Sequence, residues 1–140
     1  MSKVNLVGHE LILSNFVSLY KNNKLPTKIL LSGEKGIGKS LLVKHFLIDI
    51  LEDEKSKNLI DNETHTNILN INKKDSKKNI EIDQIREIIK FTNQSSFNNK
   101  SRFVIIDEAE YLNTNSSNAL LKSLEEPNEN VYFFLIFNSD

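Results

Sequence analysis

Apolar and polar residues follow one another along this chain in two rhythms. Residues 9–22, HELILSNFVSLYKN, put Ile12, Phe16, Leu19 and Tyr20 on one helical face, and the polar run NNKLP closes that segment. Residues 39–53 repeat the helical spacing with Val43, Phe46, Leu47 and Ile50. Residues 82–94 do so with Ile82, Ile85, Ile88 and Ile89. A further helix is expected over 113–127, N-capped by an Asn or Thr, with Pro127 just past its end. Between these segments lie short, nearly unbroken apolar runs: KILLS (28–32), TNILNIN (66–72), RFVIIDE (102–108) and VYFFLIFNSD (131–140). Runs of that kind read as strands buried on both faces. The stretches EDEKSKNLIDNET (52–64) and KKDSKK (73–78) read as a loop and a solvated turn.

Strands and helices therefore alternate, and the pattern predicts an α/β domain: a parallel sheet covered on both sides by helices. The chain stops directly after a core strand, so it is expected to be a piece of a longer protein, a single domain over 1–140 truncated at its C-terminal end. With 39% hydrophobic and 26% charged residues and a net charge of -1, it is a globular rather than a disordered sequence. Near-neutral charge gives no global electrostatic case for nucleic acid. The absence of cysteine excludes disulfides, Cys-type zinc sites and a Cys nucleophile. No apolar h-region opens the chain, and its longest apolar run, 131–137, is far too short to span a bilayer. A cytoplasmic location without membrane contact is expected.

Candidate chemistry changes the picture at one place above all. The chain has four glycines, and three of them fall between Gly33 and Gly38. Gly33-Glu34-Lys35-Gly36-Ile37-Gly38-Lys39-Ser40, leading into Leu41, fits G-x-x-x-x-G-K-[ST]. In such a loop, glycines let successive backbone N–H groups curl around phosphate oxygens, and the helix that follows adds its positive end. Lys39 would reach the β- and γ-phosphates, and Ser40 would place its hydroxyl on Mg²⁺. The bland alternative is a tight strand-to-helix turn with an incidental Lys-Ser. The strand before and the helix after favour the phosphate reading.

A second element is Phe103-Val104-Ile105-Ile106-Asp107-Glu108, a core strand with two acids at its carboxyl end, where ligands of open α/β sheets sit. Asp107 is placed to hold Mg²⁺, and Glu108 to polarise a water for attack on the γ-phosphate. Standing alone, the pair would read as an acidic helix cap. Asn138, at the end of the last strand, could orient the attacking water or simply make a turn. Arg102 stands at the start of a core strand at the end opposite the ligand, which suits a structural or a solvent-facing role rather than an arginine finger. Lys73, Lys74, Lys77 and Lys78 read as a solvated loop rather than a DNA contact. His9, His45 and His65 have no ligand spacing.

GEKGIGKS, the opening LVGHELILSNF and above all NALLKSLEEP (118–127) after Asp107-Glu108-Ala109 resemble the clamp-loader branch of the AAA+ ATPases, within it the delta prime type of bacterial DNA polymerase III subunit. The resemblance implies an AAA+ P-loop three-layer sandwich that binds ATP and Mg²⁺. It further implies a hetero-pentameric ring with gamma/tau and delta subunits that loads the sliding clamp on primed DNA in replication. By the same resemblance Lys39 and Ser40 are the Walker A residues, Asp107 and Glu108 the Walker B pair, and Asn138 the sensor-1 position. Leu6 and Val7 become the segment near adenine. Many relatives hold zinc with four cysteines before the Walker B strand, and none stands here, so no zinc is expected. The lid and collar domains, and the arginine that reaches a neighbour's ATP, would lie after Asp140. A gamma/tau-type motor ATPase is the alternative reading. A small-molecule P-loop kinase is a third, which leaves Glu108 and SLEEP unexplained.

Overall fold

The computed structural model describes residues 9–51, 54–63, 65–94, 100–125 and 130–139. In chain order these form α1 (Glu10–Lys21), β1 (Lys28–Glu34), α2 (Lys39–Leu51), α3 (Glu54–Asp61), β2 (Ile68–Ile71), α4 (Ile82–Asn93), β3 (Arg102–Ile106), α5 (Thr114–Glu125) and β4 (Val131–Ser139), with a 3₁₀ turn at Ala109–Tyr111. The strands lie in one parallel sheet ordered β1-β4-β3-β2. The two strands that carry the expected phosphate loop and acid pair, β1 and β3, thus flank β4.

The period of two along β3 explains the three layers. Phe103 and Ile105 join the core under α1, α2 and α3, with Leu13, Phe46, Leu47, Ile60 and Phe134. Val104 and Ile106 join the core under α4 and α5, with Ile85, Ile88, Leu120, Leu124 and Phe133. Every residue of β3 is buried, as a strand covered on both faces must be. The expected doubly covered parallel sheet is what the chain forms.

Three local expectations need correction. The inward stripe of α1 is Leu13, Phe16, Val17 and Tyr20, spaced at i, i+3, i+4 and i+7. Ile12 and Leu19, 41% and 37% exposed, lie off it. The segment 52–64 is not a loop throughout, because α3 occupies Glu54–Asp61. Its charged residues mask a single buried contact, Ile60, and a Lys44–Asp61 pair of 3.8 Å ties it to α2. Finally, KILLS is not a doubly buried strand. At the sheet edge β1 buries Ile29 and leaves Leu30 65% exposed, since α4 and α5 pack on the strands at the other side of the sheet.

Caps set the ends of the helices that flank the site. Asn113 is the N-cap of α5, its Oδ1 accepting the Ser116 N–H at 2.8 Å. Gln84 accepts the Glu81 N–H at 3.0 Å and donates to the Asn72 carbonyl at 2.8 Å, pinning the start of α4 to the end of β2. Pro127, expected beyond α5, lies outside the described residues.

Candidate phosphate and metal site

The glycine run leaves β1 at Glu34 and enters α2 at Lys39. Gly36 and Gly38 have φ of 91° and 93°, a region that L side chains rarely adopt, so only glycine makes this curl without strain. Leu42 N–H donates to the Gly38 carbonyl at 2.8 Å, the first bond of α2. The N–H groups before it have no partner within the helix and carry its positive end. Lys39 is buried, and its Nζ donates to the Gly33 and Glu34 carbonyls at 2.8 and 2.6 Å. The ammonium therefore already sits inside the curl, held by the loop's own backbone. An anion entering the curl would replace those neutral acceptors with charged ones, which make stronger bonds.

Asp107 and Glu108 leave β3 as the strand ends at Ile106. Asp107 N–H is held by the Ile71 carbonyl of β2 at 2.8 Å, and Asp107 Oδ1 accepts the Glu108 N–H at 2.8 Å. Glu108 is left-handed, with φ 55° and ψ 39°, an uncommon state for a residue with a side chain. Asn138 stands directly across the β1–β4 ladder from Gly33.

All three elements meet in one cavity of about 580 Å³. Lys35, Gly36, Gly38, Lys39, Ser40 and Leu41 of the loop and helix line it together with Asp107, Glu108 and Asn138. Gly33, Glu34 and Ile37 stand outside the lining. The first two offer carbonyls to Lys39, and Ile37 is the exposed tip of the loop. Leu6 and Val7 lie outside the described residues. The donor set suits a hard divalent cation: Ser40 and Asp107 would offer two oxygen ligands to a Mg²⁺, an ion that usually keeps several waters and binds through few protein ligands plus phosphate. Among the described residues no three His, Asp or Glu side chains gather into a metal cage.

Some participants had no sequence signal strong enough to single them out. Asn70, a polar residue inside the short strand β2, lines the cavity beside the acids. His9 donates from Nε2 to the Ile37 carbonyl at 2.5 Å, steadying the loop tip from the start of α1. Glu110 accepts the main-chain N–H of Asn138 at 3.0 Å. Both contacts span 28 residues and involve one backbone partner, so no side-chain pattern announces them.

The remaining charged candidates serve the fold. Arg102 is buried at the far end of the sheet, where its guanidinium donates to the Phe91 carbonyl and, at 3.2 Å, to that of Thr92, closing the last turn of α4. Burial lowers its pKa below the ordinary arginine value, and it remains charged. Burial, and then Tyr20, push the Tyr132 phenol at that same end above its ordinary value. Arg86 pairs with Asp83 at 2.8 Å on the exposed face of α4. Lys73 donates to the Lys77 carbonyl at 3.1 Å and lies 5.4 Å from the centre of the Tyr111 ring, so part of the basic run is spent on closing its own turn.

The family described as DNA polymerase III, delta subunit matches residues 8–140. A DNA polymerase III subunit delta' of Pseudomonas aeruginosa is 32% identical over 117 residues, 76% of this chain and 36% of that protein. A subunit tau/gamma of Haemophilus influenzae is 28% identical over 145 residues, 94% of this chain and 20% of that protein. Among solved structures, a DNA polymerase III gamma subunit-related protein of Thermotoga maritima superposes with a TM-score of 0.63 at 24% identity, covering 90% of this chain and 39% of that one. At that identity the likeness speaks to the fold. The chain thus spans about a third of the length of the delta' relative.

Proposed function

The chain belongs to the DNA polymerase III delta subunit family, with the fold of its AAA+ relatives, and from that membership we propose that residues 1–140 are the ATP-binding domain of a delta prime-type clamp-loader subunit. In this reading the complete protein takes its place in a hetero-pentameric ring with gamma/tau and delta subunits. The ring loads the sliding clamp on primed DNA in the cytoplasm. Among the described residues no helix is long and apolar enough to cross a membrane.

The observation that carries the proposal is the meeting of the glycine loop, the acid pair and Asn138 in one cavity. A loop alone fits many phosphate ligands. A loop facing two carboxylates and an amide across one strand fits a triphosphate with its metal and water. The first-turn N–H groups of α2 and the Lys39 ammonium grip the β- and γ-phosphates. Ser40 and Asp107 would hold Mg²⁺, which when bound would neutralise charge on those phosphates. Where the subunit also turns ATP over, Glu108 would take the proton of a water, oriented by Asn138, whose oxygen bonds the γ-phosphorus as the bond to the ADP oxygen breaks. The match of 94% of this chain to a fifth of a tau/gamma subunit favours a second reading, a motor ATPase using the same residues, separated from the first by turnover.

The test is calorimetric titration of ATP–Mg²⁺ into the complete protein. Lys39→Ala is expected to lower affinity by about 10- to 150-fold, the share of a charge-assisted phosphate contact. Equal affinity in wild type and variant would remove the loop from the site. ATP-dependent clamp loading by the ring reconstituted with candidate gamma/tau and delta subunits tests the assembly half. A ring equally active without this protein overturns that half.

A further inference from the structure

We propose that Glu110 is a positioning residue that locks the Asn138 end of β4 to the acid-bearing turn after β3, and thereby sets the γ-phosphate side of the cavity. The inference rests on the ATP reading above, and its argument begins with the sheet. The β3–β4 ladder ends at Ile106↔Leu135, while β4 runs on to Ser139 against β1 alone. Main-chain groups along a strand alternate in direction. Phe133 N–H donates to Thr27 at the foot of β1, so the N–H of Asn138, five residues on, faces the opposite way, toward the space β3 has left. That donor lacks a ladder acceptor because the chain has turned off at Asp107, whose own N–H is taken by Ile71 of β2. The donor lies at an exposed end of the strand, where either water or a protein acceptor can take it, and a protein acceptor fixes the strand end.

Glu110 supplies it. The 3₁₀ turn Ala109–Tyr111 brings its carboxylate back over the end of β4, and Oε1 accepts the Asn138 N–H at 3.0 Å. One side chain thus stands in for the missing strand, and the bond is charge-assisted. The same turn begins at the left-handed Glu108, held by Asp107 Oδ1. Asp107, Glu108 and Asn138 line one cavity, so the Glu110 bond fixes the acids and the amide relative to each other without itself lining that cavity. Its effect should fall on the part of the nucleotide that reaches Asn138, the γ-phosphate, and not on the rest.

The test compares a non-hydrolysable ATP analogue with ADP, each with Mg²⁺, on the complete protein, together with deuterium exchange at the Asn138 amide. Glu110→Ala is expected to weaken analogue binding by about 2- to 10-fold, the share of one hydrogen bond, and to leave ADP affinity as it was. Exchange at Asn138 should quicken. Glu110→Gln keeps an acceptor oxygen and should restore both readouts. A general loss of stability would instead weaken both nucleotides together and overturn the positioning role. So would a Glu110→Ala variant with the wild-type analogue-to-ADP ratio and wild-type exchange. Wild-type protein that binds neither nucleotide overturns the ATP reading and this inference with it. Nucleotide binding with an unmoved ratio removes only Glu110.

Discussion

Glu108 occupies a backbone state that a side-chain-bearing residue enters only at a cost of about 1–3 kcal/mol, and such strain collects at functional sites. Two neighbours hold it there: Asp107 Oδ1 on its N–H, and the Tyr111 N–H on its carbonyl at 3.0 Å. The strain is met by backbone contacts that a change of the Glu108 side chain leaves intact. Glu108→Gln therefore keeps the turn and removes only the basic oxygen. ATP affinity is expected to stay within about 2-fold, as no net hydrogen-bond loss is involved. Turnover by the reconstituted ring is expected to fall by about 100-fold or more, the usual share of a general base. A Gln variant with wild-type turnover would leave Glu108 as a turn residue only. A wild-type ring that stays silent at this subunit would assign the acids to binding.

At the scale of elements, the ends of the sheet divide the labour. The carboxyl ends of β1, β3 and β4 build the cavity, while their amino ends are tied down by packing and by Arg102. The Arg102 guanidinium closes α4 and lies 5.4 Å from the centre of the Phe91 ring. Arg102→Met keeps the buried stem and loses the charged donors. It is expected to cost about 1.5–3 kcal/mol in chemical denaturation, the value of hydrogen bonds to a charged group, and to leave nucleotide affinity unchanged. An affinity change would mean that the two ends communicate. Elements with a clean rhythm were legible in advance: Val43, Phe46 and Leu47 of α2, Ile85 and Ile88 of α4, and the whole of β3 are buried as their spacing requires. What escaped the sequence has physical causes. In α3 the charge around Ile60 outweighs the one apolar contact that decides its placement. In β1 the apolar letters of Leu30 and Leu31 do not tell an edge from a centre, because that depends on which strands lie alongside. Within the site, Lys39, Ser40, Asp107 and Glu108 carry their chemistry in local motifs. The Glu110–Asn138 and His9–Ile37 bonds form only when distant backbone arrives.

For the molecule as a whole, core and cavity share a helix. Phe46 lies about two turns beyond Lys39 on α2, and its ring centre is 5.5 Å from that of Phe134, 6.0 Å from Tyr20, 6.2 Å from Phe103 and 6.3 Å from Phe16. Truncating so central a ring costs about 3–5 kcal/mol, against a total that for domains generally is about 5–15 kcal/mol. Phe46→Ala should therefore sit near the edge of folding while its phosphate loop stays chemically complete. A ligand that binds only the folded state returns stability by mass action, about 2.7 kcal/mol at a hundred times its Kd. Saturating ATP–Mg²⁺ is expected to restore most of the melting temperature lost in Phe46→Ala. It should restore clearly less, about 0.3–1.4 kcal/mol, in the Phe46→Ala, Lys39→Ala double variant at the same concentration. Equal recovery in both would place the stabilising contact away from the loop. Recovery in neither, with wild type binding ATP normally, would mean that the aromatic cluster builds the cavity as well as the core.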